Sequence, residues 1–445
     1  MSSLSLDIRR VLGLAWPVMI SMLSYSLMSA ADAIFVGRLG TVPLAAVGLG
    51  VTTTFLFLGL PMGLVRGLRV ATAQATGAGR EHIVRAYGWQ AVWLGLAMGV
   101  LVALASVTGP LVFRLLGGSA AVQAEALAYF QVKALAAPVV LLGMALTSWF
   151  EGRGDTRTPM RVHVTANLGH IALVAVLVEG AGPIPALGIR GAAWAGVIAL
   201  TLSSLALLRL AWPTLREISA RPRRSLLAES ARLGLPIGVQ RLLDITAWTT
   251  LTGVLASVGD AQLAAHTLAI RVLMLSFLPG LAIAEATAVL VGQAVGAKEP
   301  DVARRACRAG ITSALAVMAV GGLGFVLLPD LLMAPFHAGA DVVPIARNLL
   351  LIAAAFQLVD AVATVLYFAL DGAGDTRFTL VSSIVLSWGV KLPVGVVLAT
   401  VAGLGAVGAW LGLTGELFVL LGVLAWRWRS GRWYAPTTRV LAVAA

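Results

Sequence analysis

Four carboxylates stand in stretches of this sequence where a charge is expensive. Asp32 lies in AADAIFVGRLG, near the end of an apolar run from Val11 to Val36 that holds no other side chain charged at neutral pH. Asp244, Glu285 and Asp360 sit inside later apolar runs. A charge at the centre of a bilayer costs about 3 kcal/mol even by lenient insertion scales, so such groups mark proton or ion pathways unless a neighbouring helix satisfies them. Two chemistries suit them. A hard cation takes carboxylate and carbonyl oxygens in place of its water, and a carboxyl lacking a partner holds a proton more tightly and carries it instead.

Helical spacing gathers polar neighbours around these acids. Tyr25 and Met28 share a face with Asp32, and Gln357 and Tyr367 share one with Asp360. Pro17 precedes Asp32 by four turns and removes an i to i−4 bond, so it supplies a bend. Trp248, one turn after Asp244, offers an aromatic face to a cationic substrate, while Arg241, one turn before, is the competing structural partner of Asp244. Lys391 beside Pro393 either biases the charge of a cavity or snorkels to a helix end.

These residues need a scaffold whose solvent is lipid. Of 445 residues 59% are hydrophobic and 12% charged, and mean hydropathy is +0.93, against about 25% charged in soluble domains. Runs of helix length recur throughout, which argues helices rather than the short alternating segments of a β-barrel. The pattern predicts twelve spans: 11 to 35, 44 to 72, 87 to 110, 124 to 150, 161 to 181, 188 to 213, 229 to 257, 264 to 294, 306 to 328, 344 to 370, 378 to 401 and 403 to 426. The first span lacks a small-residue cleavage site and reads as its own insertion signal.

The net charge of +12 follows the membrane rather than nucleic acid. Arg9, Arg10, Arg80, Arg85, Arg153, Arg157, Arg221, Arg223, Arg224, Lys298, Arg304, Arg305, Arg377, Arg427 and Arg439 fall on one side of the spans, and Arg38, Arg114, Arg190 and Arg347 on the other. The positive-inside rule then places both termini in the cytoplasm. Cys307 is the single cysteine, which excludes an intramolecular disulfide. No histidine pair has zinc-ligand spacing, and no phosphate-binding loop is present, so neither metal chemistry nor ATP hydrolysis is indicated. His163, His170, His266 and His337 titrate near neutrality if exposed.

The chain repeats itself. GRGDTR at 152 to 157 returns as GAGDTR at 372 to 377, Pro17 returns as Pro236, and Gln74 as Gln293. An even number of crossings per repeat gives two parallel six-helix lobes, 1–213 and 229–445, the second ending in a short cytoplasmic tail. The arginine-rich stretch 214–228 joins them as a cytoplasmic linker expected to carry an amphipathic surface helix. Glu285 and Arg66 occupy equivalent depths in the repeat. They form either an inter-lobe ion pair that breaks between access states or separate contacts within their own lobes.

The Pro17 to Asp32 span followed by VGRLG, the segments LAAHTLAIR and GQAVGA, and the two GDT loops resemble the multidrug and toxic compound extrusion (MATE) transporters along essentially the whole length. The resemblance implies an all-α, V-shaped, twelve-helix fold. It also implies export of cationic or amphipathic small molecules against H⁺ or Na⁺ by alternating access, with no cofactor, no enzymatic activity, no metal beyond a transported Na⁺, and a functional monomer in the lipid bilayer. By the same resemblance Asp244 and Asp360 are coupling-ion candidates, and Asn167 is the partner of Asp32. Two further positions of the cation site described for some members hold Ile171 and Gly196 here. Proton coupling through Asp32, hydrogen-bonded to Asn167, is therefore the more economical expectation. The alternatives are a lipid-linked oligosaccharide flippase, which would want a cationic cavity, and a membrane enzyme, for which no base and nucleophile pair is evident.

Overall fold

The computed structural model describes residues 3–183 and 185–434. Arg439 and the rest of the expected cytoplasmic tail lie outside them. Sixteen α-helices carry the described chain: α1 Ser3–Gly37, α2 Thr41–Gly77, α3 Glu81–Ala105, α4 Gly109–Leu116, α5 Ala120–Leu135, α6 Ala137–Gly152, α7 Arg157–Glu179, α8 Ile189–Leu215, α9 Arg224–Val258, α10 Asp260–Gly296, α11 Pro300–Leu327, α12 Pro329–Met333, α13 Val342–Ala373, α14 Thr376–Leu386, α15 Leu392–Val396 and α16 Gly405–Arg429. Two π-helical turns, Ser387–Lys391 and Val397–Val401, flank α15.

Among the described residues, ten helical segments are long and apolar enough to cross a membrane, and α5 with α6, bent by 57°, forms an eleventh if taken as one span. The bend falls where Pro138 cannot donate to the preceding turn. The expected span 229 to 257 forms as α9 but is not among these, because Arg232, Gln240, Arg241, Asp244 and four threonines dilute its apolar surface. Those threonines are internally satisfied: Thr246, Thr249, Thr250 and Thr252 each donate to the carbonyl four residues earlier.

The linker departs from expectation. No surface helix forms between Leu215 and Arg224, since Pro222 lacks the amide that would extend one. Instead the segment is pinned along α3. Trp89 and Trp93 donate to the carbonyls of Leu215 and Ala220, Gln90 accepts from the Arg223 amide, and Arg85 pairs with Glu217.

By packing, the chain forms two compact units, residues 20–238 and residues 1–19 with 239–445. In the first, α3 packs on α6, α2 on α5 and α6, and α7 on α8, around a core that includes Leu68, Ala91, Leu146 and Trp149. In the second, α10, α11, α13 and α16 pack together, and the start of α1 joins them through Val11, Ala15 and the 3.5 Å pair between Asp7 and Arg305.

The repeat is visible in the backbone of both. The Arg80 amide donates to Ala75 and the Glu299 amide to Ala294, with Gly79 and Lys298 at φ of 68° and 62°. Asp155 and Asp375 close matching turns onto Phe150 and Leu370, after Gly154 and Gly374 at 86° and 91°. A Cβ on Gly152 would meet the Arg69 carbonyl oxygen at 2.8 Å, and one on Gly372 the Ala288 carbonyl oxygen at 2.2 Å, so both GDT loops need a glycine for close helix approach. Beyond the shared backbone the loops differ. Arg427 binds Asp375 through two hydrogen bonds of 2.7 and 3.2 Å, while burial pushes that carboxyl up and Arg427 pulls it back.

Candidate functional site

In the unit of residues 20–238, the buried Asp32 meets α7. Its Oδ1 lies 2.7 Å from His170 Nε2, and His170 has no exposed surface. A neutral imidazole bonded this way carries its proton on Nε2 and leaves Nδ1 as an acceptor. That Nδ1 is buried with no hydrogen-bond partner. Asn167, the expected partner, is buried too, but its amide donates to Ser24 at 2.8 Å. The correction has a geometric cause: His170 sits one turn further along α7, at the level of Asp32, whereas Asn167 lies at the level of Ser24, two turns earlier on α1. Met28 is buried between the two levels and Tyr25 is 44% exposed. Pro17 is within α1, three turns before Met28.

A lysine also reaches this acid. Lys133 near the end of α5 sits 5.4 Å from the Tyr129 ring centroid, on the side of Gly196 and His170. The ammonium occupies space opened by Gly196 on α8, where a Cβ would lie 2.2 Å from Nζ and 3.8 Å from His170 Cε1. The sequence pointed to Gly196 as a missing ligand; the structure shows a cation in its place. Lys133 stands in the predicted fourth span, so its position among apolar residues was the available signal.

The unit of residues 239–445 holds a larger polar cluster. Gln240 and Asp244 project from α9, and Gln240 Nε2 lies 3.5 Å from Asp244 Oδ2. Tyr367 of α13 donates to Gln240 Oε1, and Ser383 of α14 donates to Asp244 Oδ1 at 3.2 Å. Asp360, half-buried on α13, accepts from Thr364 at 3.1 Å. Gln357, expected on the same polar face, is fully buried and donates to Ser276 of α10 at 2.5 Å.

Glu416 is the carboxylate that the sequence reading missed. It is 4% exposed on α16, accepts from Ser387 at 3.0 Å and pairs with Lys391 at 3.5 Å. Lys391 is equally buried, donates to Ser387 at 3.0 Å and lies 5.7 Å from the Trp248 ring centroid. It therefore turns into the unit rather than snorkelling outward. The π-helical turn at Ser387–Lys391 rotates Ser387 and Lys391 onto α16, and such turns concentrate at functional positions. Trp248 leans on His266 at 6.2 Å, and His266 Nδ1 accepts from Trp410 at 3.0 Å, so this histidine is engaged in packing and a structural hydrogen bond. Among the described residues, no three histidine, cysteine or acidic side chains converge as a metal site.

Arg66 lies half-buried on α2 of the first unit, and Glu285 is 7% exposed on α10 of the second.

Two apolar-embedded charge clusters, one in each unit, are thus built from acids balanced by lysine and histidine. The MatE family profile matches residues 17–176 and 236–397, one segment in each half of the repeat. The probable multidrug resistance protein NorM of Burkholderia pseudomallei is 33% identical over 93% of this chain and 91% of its own length. A MOP superfamily transporter from Pyrococcus furiosus shares the fold with a TM-score of 0.88 at 22% identity, covering 99% of this chain and 97% of that one. A Vibrio cholerae MATE transporter in the bent form gives 0.87 at 20% identity over 99% and 100%. With the profile spanning most of its length and a relative alike from end to end, the chain belongs to the MatE family of membrane transporters.

Proposed function

We propose that this protein is a secondary active antiporter that exports cationic or amphipathic organic compounds in exchange for H⁺ or Na⁺. The observation that carries the reading is the buried Asp32–His170 pair, a carboxylate 2.7 Å from an imidazole whose other nitrogen has no hydrogen-bond partner. Such a pair binds one proton at low energetic cost and holds it away from water, which suits a coupling site. Asp32 is the coupling carboxylate of this reading, and His170, in place of Asn167, is the partner that shares the proton with it. Asp244 and Asp360 remain the cation-coupling candidates of the second unit, with Gln240, Tyr367, Ser383 and Glu416 around them. Pro17, Arg66 and Glu285 serve as gating candidates, and Tyr25, Met28, Trp248, Gln357 and Tyr367 as substrate contacts.

The same reading takes α9 as a twelfth span, two six-helix lobes of residues 1–213 and 229–445, and both termini on the cytoplasmic side of the bacterial inner membrane. It needs no cofactor and treats the monomer as the working unit. The NorM relatives' name as multidrug resistance proteins supports an organic, drug-like cargo. Lys133 and Lys391 favour a second reading, flipping of an anionic lipid-linked sugar. Lys391, however, pairs with Glu416, and the cluster that holds Lys133 also holds Asp32, so neither cluster is cationic overall. The test is efflux of a fluorescent cation from everted vesicles with the pH gradient and the Na⁺ gradient collapsed separately. Loss of efflux with one gradient identifies the coupling ion, and no effect of either rejects secondary transport.

A further inference from the structure

Lys133 has a role that the resemblance to other transporters does not supply. Its ammonium makes no hydrogen bond or ion pair with another described residue, yet it stands at Gly196, where a Cβ would lie 2.2 Å from Nζ and 3.8 Å from Cε1 of His170. Three features hold it there. Gly196 leaves the volume that its head fills, and even one methyl at that position would lie 2.2 Å from Nζ. Tyr129, 2% exposed, presents its ring from the same helix one turn earlier. The third is the Asp32–His170 pair, whose imidazole Cε1 lies 3.8 Å from the point where a Gly196 Cβ would stand.

We infer that Lys133 is the tethered counter-cation of Asp32, seated by Gly196, and that it makes this unit answer to protons instead of metal cations. The inference rests on the proton reading above. Around Asp32 stand Tyr25 from its own helix, Tyr129 and Lys133 from α5 and His170 from α7, with Gly196 of α8 beside the lysine and the imidazole. With Asp32 ionised and His170 neutral, the ammonium balances the carboxylate, so a sodium ion entering the same space would meet a charge already neutralised. An arriving proton binds the open Nδ1 of His170, whose Nε2–H stays on Asp32. One anion then faces two cations, and the lysine head, on a flexible stem, is the one able to move. Proton binding thereby ejects Lys133 from the Gly196 seat, toward the Tyr129 ring or toward water, and couples protonation to a displaced charge.

The experiment is the pH dependence of ethidium transport by the full-length protein in liposomes, in potassium buffer with and without added NaCl. Lys133→Met removes the cation, and Gly196→Ala fills the seat while keeping the lysine. Loss of a cation this close is expected to move the midpoint of the pH profile up by about one unit. Both variants should show that shift. The double variant should shift no further than either single one, because both remove the same interaction. Lys133→Arg should shift the midpoint as Gly196→Ala does, since the larger guanidinium does not enter the seat. Lys133→Met should also make the rate respond to NaCl, which the wild type should not. A Lys133→Met midpoint equal to wild type, with wild-type transport pH-dependent, overturns this inference alone. Should that variant not assemble, an unmoved Gly196→Ala midpoint does the same. A wild-type rate that ignores pH and follows Na⁺ overturns the proton reading and this inference together.

Discussion

His170 Nε2 sits 2.7 Å from Asp32 Oδ1 while the far nitrogen of the same ring is buried without a partner. With the proton on Nε2, that asymmetry makes the histidine a donor to the carboxylate on one side and an acceptor on the other. Asp32→Asn removes the anion and is expected to abolish transport driven by a pH gradient in liposomes; a wild-type rate would show that coupling lies elsewhere. His170→Ala takes away a charge-assisted hydrogen bond of about 1.5–3 kcal/mol. The pH profile of transport should therefore move, read at its midpoint. An Asn167→Ala variant, whose amide bonds Ser24 instead, should leave that midpoint in place.

Lys391 and Glu416 give a stability test. Both side chains are nearly excluded from solvent, at 5% and 6% exposure, and they share Ser387. Removing one partner strands a buried charge, at a cost of about 3–5 kcal/mol. Lys391→Met alone and Glu416→Leu alone should each lower the thermal unfolding midpoint of the detergent-solubilised protein, whereas the double variant should recover most of the loss. Additive losses would mean that the two groups do not act as a pair.

The repeated turns offer a cleaner measurement, because nothing crowds them. Gly79 adopts φ of 68° with open space where a Cβ would stand, and its counterpart Lys298 adopts 62° with a side chain present. A left-handed conformation costs a non-glycine residue about 1–2 kcal/mol. Gly79→Ala should thus destabilise by about 1 kcal/mol and Lys298→Gly should stabilise by a similar amount, both read by thermal unfolding. Opposite signs at matched positions would be the thermodynamic signature of the duplication.

How much of this was legible beforehand depends on what each feature rests on. Helices and their lengths follow from hydropathy, which is a property of the chain alone, and the GDT loops and their glycines repeat in plain text. The span at 229 to 257 was harder, since α9 spends its polar residues on internal contacts. Partner choice was least legible. Asn167 and His170 are one turn apart, and which of them meets Asp32 depends on the vertical offset of α7 against α1. Glu416 and Lys133 each stand alone among apolar neighbours, a signal present in the sequence. Their partners come from helices distant in the chain, and only the packing brings them together.

Trp248 tests the cargo. Its ring already has a cation 5.7 Å away, the Lys391 ammonium, and it rests against His266 on the other flank. A cationic drug stacking there would compete with the lysine for the same π face, and such contacts are worth about 0.5–2 kcal/mol. Trp248→Ala is therefore expected to raise the KM for ethidium by about 3–30-fold, at little cost to the export of an uncharged amphipath. Trp248→Phe, which keeps a weaker π face, should fall between. If Lys391 is the competitor, Lys391→Met should lower the KM for ethidium in the wild-type tryptophan background and have no such effect once Trp248 is alanine. Equal effects in both backgrounds would place the cation elsewhere and leave Trp248 as packing for His266.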